Sequence, residues 1–146
     1  MPQPALTGNP AVLSAPRIML IIRPPQMAAI AEQLLLGRLT VHLRQYFPEQ
    51  CSAFGQDGLR DHVLTVLEQI RPFELCEETL YKYMNITIIH GINFQERPEH
   101  AWMATYLHDA SVPDYNDRIR RLYSAVVARA ERERSNRKAR EMFNGQ

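Results

Sequence analysis

The sequence predicts an all-α fold: about five helices in a compact orthogonal or bundle-like domain, with a possible short strand near the N-terminus. Three observations carry this prediction. Apolar residues recur at helical spacing through most of the stretch between residues 24 and 130. The helix punctuators Pro24, Pro25, Pro48, Gly91, Pro98 and Pro113 stand at the ends of those periodic runs. The one strand-like run, Ile18 to Ile22, has no second strand to pair with.

A chain of 146 residues suffices for one domain, burying roughly 68–70% of its unfolded surface without disulfide staples. Residues 1–16 carry Pro2, Pro4, Pro10 and Pro16 and a Gly8-Asn9 turn signal, which predicts an extended or flexible arm. The apolar run that follows is either an edge strand that adds to a partner's sheet or an extended segment packed on the bundle. Ile18, Leu20 and Ile22 are therefore candidate partner contacts. Residues 17–130 are expected to form the single helical domain, and residues 131–146 a charged, fraying C-terminal helix.

The first helix is expected from Gln26 to Phe47, with Pro24-Pro25 in its first turn. Its apolar set of Met27, Ile30, Leu34, Leu35, Leu39, Leu43 and Phe47 is wide enough to predict a central helix. The run Tyr46 to His62 reads as a corner, with Pro48 ending one helix and Gly55 and Gly58 framing the next. From Asp57 to Arg71, the positions Leu59, Val63, Val66, Leu67 and Ile70 make a one-sided packing stripe. A third helix is expected over Glu77–His90, with Cys76 at the cap position and Gly91 as its left-handed end. The β-branched residues within it make a strand over Asn85–Ile89 the competing reading. Pro98 can open a short helix bearing Trp102, Met103, Tyr106 and Leu107. After Pro113, Asp114 with Asp117 resembles an acidic capping pair, and Ile119, Leu122, Tyr123, Val126 and Ala130 line one face of the last helix.

The chemistry is sparse. The five histidines are scattered, with no pair at metal-ligand spacing, so no metal or other cofactor is expected. Cys51 and Cys76 are expected as reduced, semi-buried thiols. A Cys51–His62 couple is disfavoured because an apolar corner opposes the thiolate. Glu77, Glu78, Asp109, Asp114 and Asp117 fall at helix starts or in loops, where the helix dipole accounts for them. No phosphate loop, dinucleotide glycine pattern or nucleophile elbow is present, and no enzymatic activity is expected. The 17 basic and 16 acidic residues leave a net charge of +1, which argues against nucleic acid as a partner. The Arg/Glu alternation of Arg129–Arg140 reads as a solvated helix. The run Ile18–Ile22 is too short for a membrane span, and it lacks the features of a signal peptide, so a cytoplasmic location is expected.

The order His42-Leu43-Arg44, Phe47-Pro48…Cys51, Gly58-Leu59-Arg60, Tyr83-Met84, Gly91…Phe94, Trp102 and Arg118…Leu122-Tyr123 resembles a family of small, poorly characterised bacterial proteins. These are encoded beside effectors, PAAR-type spike tips or lysis-motif proteins of the type VI secretion system. The resemblance spans residues 24 to 128. It implies a non-enzymatic adaptor or co-chaperone that binds a secretion effector, an effector chaperone or a PAAR-type spike protein before export. An immunity protein that neutralises a toxin is the alternative. Trp102 and Tyr106 join Ile18, Leu20 and Ile22 as candidate partner-binding residues, and self-association into a homo-oligomer is possible. The chain departs from the family pattern at Gln95, where an acidic residue is expected, and at Arg97-Pro98-Glu99-His100, which replaces a more acidic, proline-rich turn.

Overall fold

Five α-helices order the chain in a computed structural model that describes residues 24–145. They are α1 (Pro24–Tyr46), α2 (Pro48–Ile70), α3 (Glu77–His90), α4 (Ala101–Leu107) and α5 (Tyr115–Asn144). Short 3-10 turns lie at Arg71–Phe73, Phe94–Glu96 and Pro98–His100. No strand occurs among the described residues, so the all-α prediction holds. The arm at residues 1–16 and the strand reading of Ile18–Ile22, with its contacts Ile18, Leu20 and Ile22, lie outside the described residues.

The chain divides within α1 into two compact units, Met1–Arg38 and Leu39–Gln146. In the first, Met27, Ile30 and Leu34 are exposed, by 43%, 51% and 60%, while Leu36 is buried. This corrects the central-helix reading of α1. At about 100° per residue, Leu36 lies half a turn round from Met27, so the wide apolar set is made of narrower sets that face different ways.

The second unit is built on α3, whose Thr79, Leu80, Tyr83, Met84, Ile86, Thr87 and Ile88 are all buried. At about 100° per residue those positions span roughly 200° of the helix, so α3 buries a wide face and leaves a strip with Glu78, Lys82 and Ile89 toward solvent. Helices α2 and α5 pack on it. From α2 come Leu59, Val63, Val66, Leu67 and Ile70, and from α5 come Ile119 and Leu122. Leu39 and Leu43, near the end of α1, are fully buried in the same unit. Helix won over strand at Asn85–Ile89 because Ile86, Thr87 and Ile88 are enclosed on the wide buried face and the backbone ladder runs on to the cap. Thr87 donates its hydroxyl back to the Met84 carbonyl (2.8 Å), and Gly91 N–H closes the helix on Thr87 O (2.8 Å).

Most polar groups drawn inward are paired, Gln95 Oε1 being buried without a hydrogen-bond partner. His62 Nε2 meets Thr87 Oγ1 at 3.1 Å, and His42 Nε2 donates to Asn85 Oδ1 at 2.8 Å. Asn85 Nδ2 in turn reaches the Tyr123 hydroxyl at 3.4 Å. Burial pushes the Tyr83 phenol up to about 12, so it stays neutral under ordinary conditions.

The corner between α1 and α2 differs in detail from its prediction. Phe47 breaks the helix (φ −133°, ψ 56°), and Pro48 opens the next one at once, since its missing N–H needs no partner there. The second break falls at Gly55 (φ 74°, ψ 178°), inside the span of α2. The helical stretch from Pro48 to this break was not expected, because both glycines read as its boundary. Gly58 is an ordinary helical residue, and a Cβ there would touch Phe54 at a normal 3.5 Å.

Gly91 combines two constraints: a φ of +95°, and a Cβ position only 2.7 Å from Arg97 Nη2. Gly91→Ala is expected to cost about 1–3 kcal/mol, whereas Gly58→Ala should be neutral or stabilising by up to about 1 kcal/mol. Urea denaturation of the two variants measures both, and equal effects would show that the Gly91 conformation is not constrained.

Candidate functional site

Helix α4 has only seven residues and buries only Met103 and Leu107, so it lies as a short lid on α5 and leaves its aromatic side half-covered. Arg118 anchors the far end of this lid. Its Nε donates to Val112 O (2.7 Å) and its Nη1 to Leu107 O (3.0 Å). Asp109 and Ser111 close the intervening turn through Oδ1 (3.0 Å from the Ser111 N–H and 2.6 Å from its hydroxyl). Asp114 then caps α5 by accepting from Asn116 N–H at 2.9 Å. Asp117 takes no part in a capping box and instead pairs with Arg120 at 2.7 Å.

Trp102 and Tyr106 are brought together on this lid, edge to face, with ring centroids 6.5 Å apart. The Arg129 guanidinium of α5 lies 4.7 Å over the Trp102 ring and pairs with Glu133 at 3.5 Å. A groove of about 420 Å³ runs beside the indole. Met103, Val126 and Ala130 give it an apolar floor, and exposed Ile89 continues that surface. Its rim carries His90, Glu99, His100 and Glu133. A shallower hollow on the other side of Trp102 is lined by Tyr106, Ala125, Ala128 and Arg132.

His90 and His100 were not foreseen as neighbours. They come within 4.8 Å, ring centroid to centroid and edge to face, because the loop through Phe94 returns on itself. Arg97 fastens that return by donating from Nη1 to His90 O at 2.8 Å. Burial depresses the His90 imidazole below its usual range, helped by His100 and Arg97 and opposed by Glu133. The histidines flank the Gly91 and Pro98 turn signals, which was the available clue. Nothing in the sequence pointed from Arg129 to Trp102.

The two thiols differ. Cys51 is buried, and desolvation raises it, outweighing the pull of Arg44. It borders a cavity of about 340 Å³ with Arg44, Ser52 and Gln56. His62, its imagined partner, is hydrogen-bonded to Thr87 instead. Cys76 is exposed rather than semi-buried. It heads α3, where Thr79 supplies hydrogen bonds from hydroxyl and backbone and Arg120 Nη2 lies 3.7 Å from the sulfur, so its thiol is lowered. Asn116 Oδ1 ties this corner to α5 by accepting from Cys76 N–H (2.9 Å) and from the Thr79 hydroxyl. Beside it, Arg120 and Lys82 hold the exposed Glu78 carboxylate down to about 2.

Among the described residues, no group of three or more His, Cys, Asp or Glu side chains is placed to hold a metal ion. No helix among them is long and apolar enough to cross a membrane. Comparison with known proteins finds no matching family model, no similar curated protein and no similar solved structure.

Trp102→Ala should cost about 1–3 kcal/mol, below the 3–5 kcal/mol of a fully buried aromatic, because the indole is only partly buried. Chemical denaturation reads this directly, and a loss above 3 kcal/mol would make the indole core. In the native protein a thiol-specific reagent at neutral pH should label Cys76 well before Cys51, with Cys51 reacting only on unfolding. Equal labelling rates would contradict the environments described.

Proposed function

We propose that this protein is a non-enzymatic adaptor that docks a protein partner along the α4/α5 groove. The observation that carries the reading is the Trp102–Tyr106 pair, presented half-exposed on a short helix with the Arg129 guanidinium stacked on the indole. Rigid aromatic and arginine surface of this kind is what interfaces use as anchors. The groove's charge narrows the occupant. Arg129 is neutralised by Glu133, which leaves Glu99 as the uncompensated charge of the rim. An apolar side chain flanked by a basic residue matches that lining.

The resemblance noted in the sequence supports a place for this adaptor in type VI secretion, with an effector, its chaperone or a PAAR-type spike protein as partner in the cytoplasm before export. The two thiols do not favour an enzyme: one is held protonated by burial, and the other has no general base among its described contacts.

Tagged protein recovered from its native host should carry an effector, effector chaperone or spike protein in stoichiometric amount, and any toxin recovered should remain active. The Trp102→Ala and Tyr106→Ala variants should lose that partner at least tenfold while keeping their helix content. Recovery of a silenced toxin would convert the reading to immunity. A partner retained by both variants would move the docking surface elsewhere, and absence of any stoichiometric partner overturns the adaptor reading.

A further inference from the structure

The docking groove has a rim that can change its charge. Its lining includes Glu99, Glu133 and Arg129, one net negative charge while His90 and His100 are neutral. With both rings protonated, the same lining carries one net positive charge. Only histidine makes such a change between pH 8 and 5 without unusual perturbation.

We propose that the His90–His100 pair is a proton-operated release for the groove: neutral rings hold the rim together edge to face, and protonation drives them apart and repels a basic occupant. The inference rests on the reading of this groove as the docking site and supplies its regulation. The geometry makes the neutral state the one the fold prefers. The rings touch at 4.8 Å, and His90 closes α3 with its carbonyl held by Arg97. Arg97 from the return loop and Arg129 from α5 therefore stand as cations near the pair, with Glu99 and Glu133 as the facing carboxylates. Glu133 is already engaged by Arg129, so it offers incomplete compensation to a second imidazolium.

The sign of the effect follows from the direction of the His90 shift. Its folded-state value lies below the unfolded one, so the neutral rim is fully stable above the ordinary histidine value of about 6.5 and is lost as pH falls through the lower, folded value. His62 is likewise depressed by burial. It faces Thr87 and Phe54 and is not part of the groove lining, so its protonation weakens the fold without acting at the rim.

The chain has a single tryptophan, Trp102, which lines the same groove and serves as a ligand-free probe. Emission of the full-length protein, followed from pH 8 to pH 5 with circular dichroism in parallel, should show a transition centred below pH 6.5 before helix is lost. Histidine ring NMR should report protonation of His90 at the same midpoint. The transition should disappear in His90→Gln and in His100→Gln. Flat emission while the rings titrate, or a transition that survives in both variants, overturns the proposal. Because no partner enters this measurement, its failure leaves the docking reading standing. Conversely, a partner insensitive to Trp102→Ala sinks the docking reading whatever the titration shows. For a partner already in hand, coupling to one proton gives about a tenfold loss of affinity per pH unit below the transition.

Discussion

Helix α3 buries roughly 200° of its circumference, from Ile86 round to Ile88, and the second unit is arranged around that wide face. A helix with so wide a buried face gains burial from each neighbour, but apolar packing alone is non-directional and would tolerate small rotations of α3 about its axis. The polar inclusions remove that freedom. Asn85 is held from both sides, by His42 at 2.8 Å and Tyr123 at 3.4 Å, and Thr87 meets His62 at 3.1 Å. Rotating α3 by one residue would break the part-buried Asn85 bonds and strand the buried His62 and Thr87, where an unpaired partner costs about 1–3 kcal/mol. They therefore set the angular register of α3.

The groove is what remains where that covering gives out. Ile89, next to the end of α3, is exposed while Ile88 is buried, so the solvent-facing strip that carries Glu78 and Lys82 turns apolar at the helix terminus. The chain then folds back through Phe94, which is fully buried and packs near Tyr83 with ring centroids 5.7 Å apart. Seven residues of α4 are too few to roof both the core and the Ile89 end. Trp102 and Tyr106 consequently sit where core becomes surface, suited to amphipathic rings that can satisfy both environments. The position of the groove is thus a consequence of helix lengths, and its lining decides what it can recognise.

Much of this was legible in the sequence because helix ends announce themselves chemically. The bounds Glu77–His90 followed from Cys76 at the cap position and a glycine stop, and the start of α5 followed from Asp114 after Pro113. What failed did so for identifiable reasons. Counting apolar residues along α1 without tracking their angle merged sets that face different ways. Reading Gly55 and Gly58 as a pair concealed that one has a left-handed torsion and the other does not. Of the candidate site, Trp102 and Tyr106 were legible as aromatics on a short helix. The contacts that give them chemical character, Arg129 on the indole and the His90–His100 pair, join residues far apart in the chain or across a reversing loop. Such contacts have no local signature.

The two halves of α5 show how the same helix can serve different ends. Up to Leu122 it supplies fully buried side chains, and from Arg129 to Gly145 every residue is exposed. An isolated segment of that length is marginal as a helix in water, because nucleation is costly. Here nucleation is already met by the packed half, and pairs such as Arg129–Glu133 at 3.5 Å add small increments along the surface. The alternation of Arg and Glu keeps the first turns of this half close to neutral, which is consistent with a solvated helix and unlike the concentrated positive field that nucleic-acid binding requires. Because Arg129 and Glu133 belong both to this solvated stretch and to the groove lining, the junction is where the charges of the exposed half meet the groove. No described residue beyond Glu133 lines that groove, so the charges from Arg134 toward Asn144 face solvent and bear on it only at a distance.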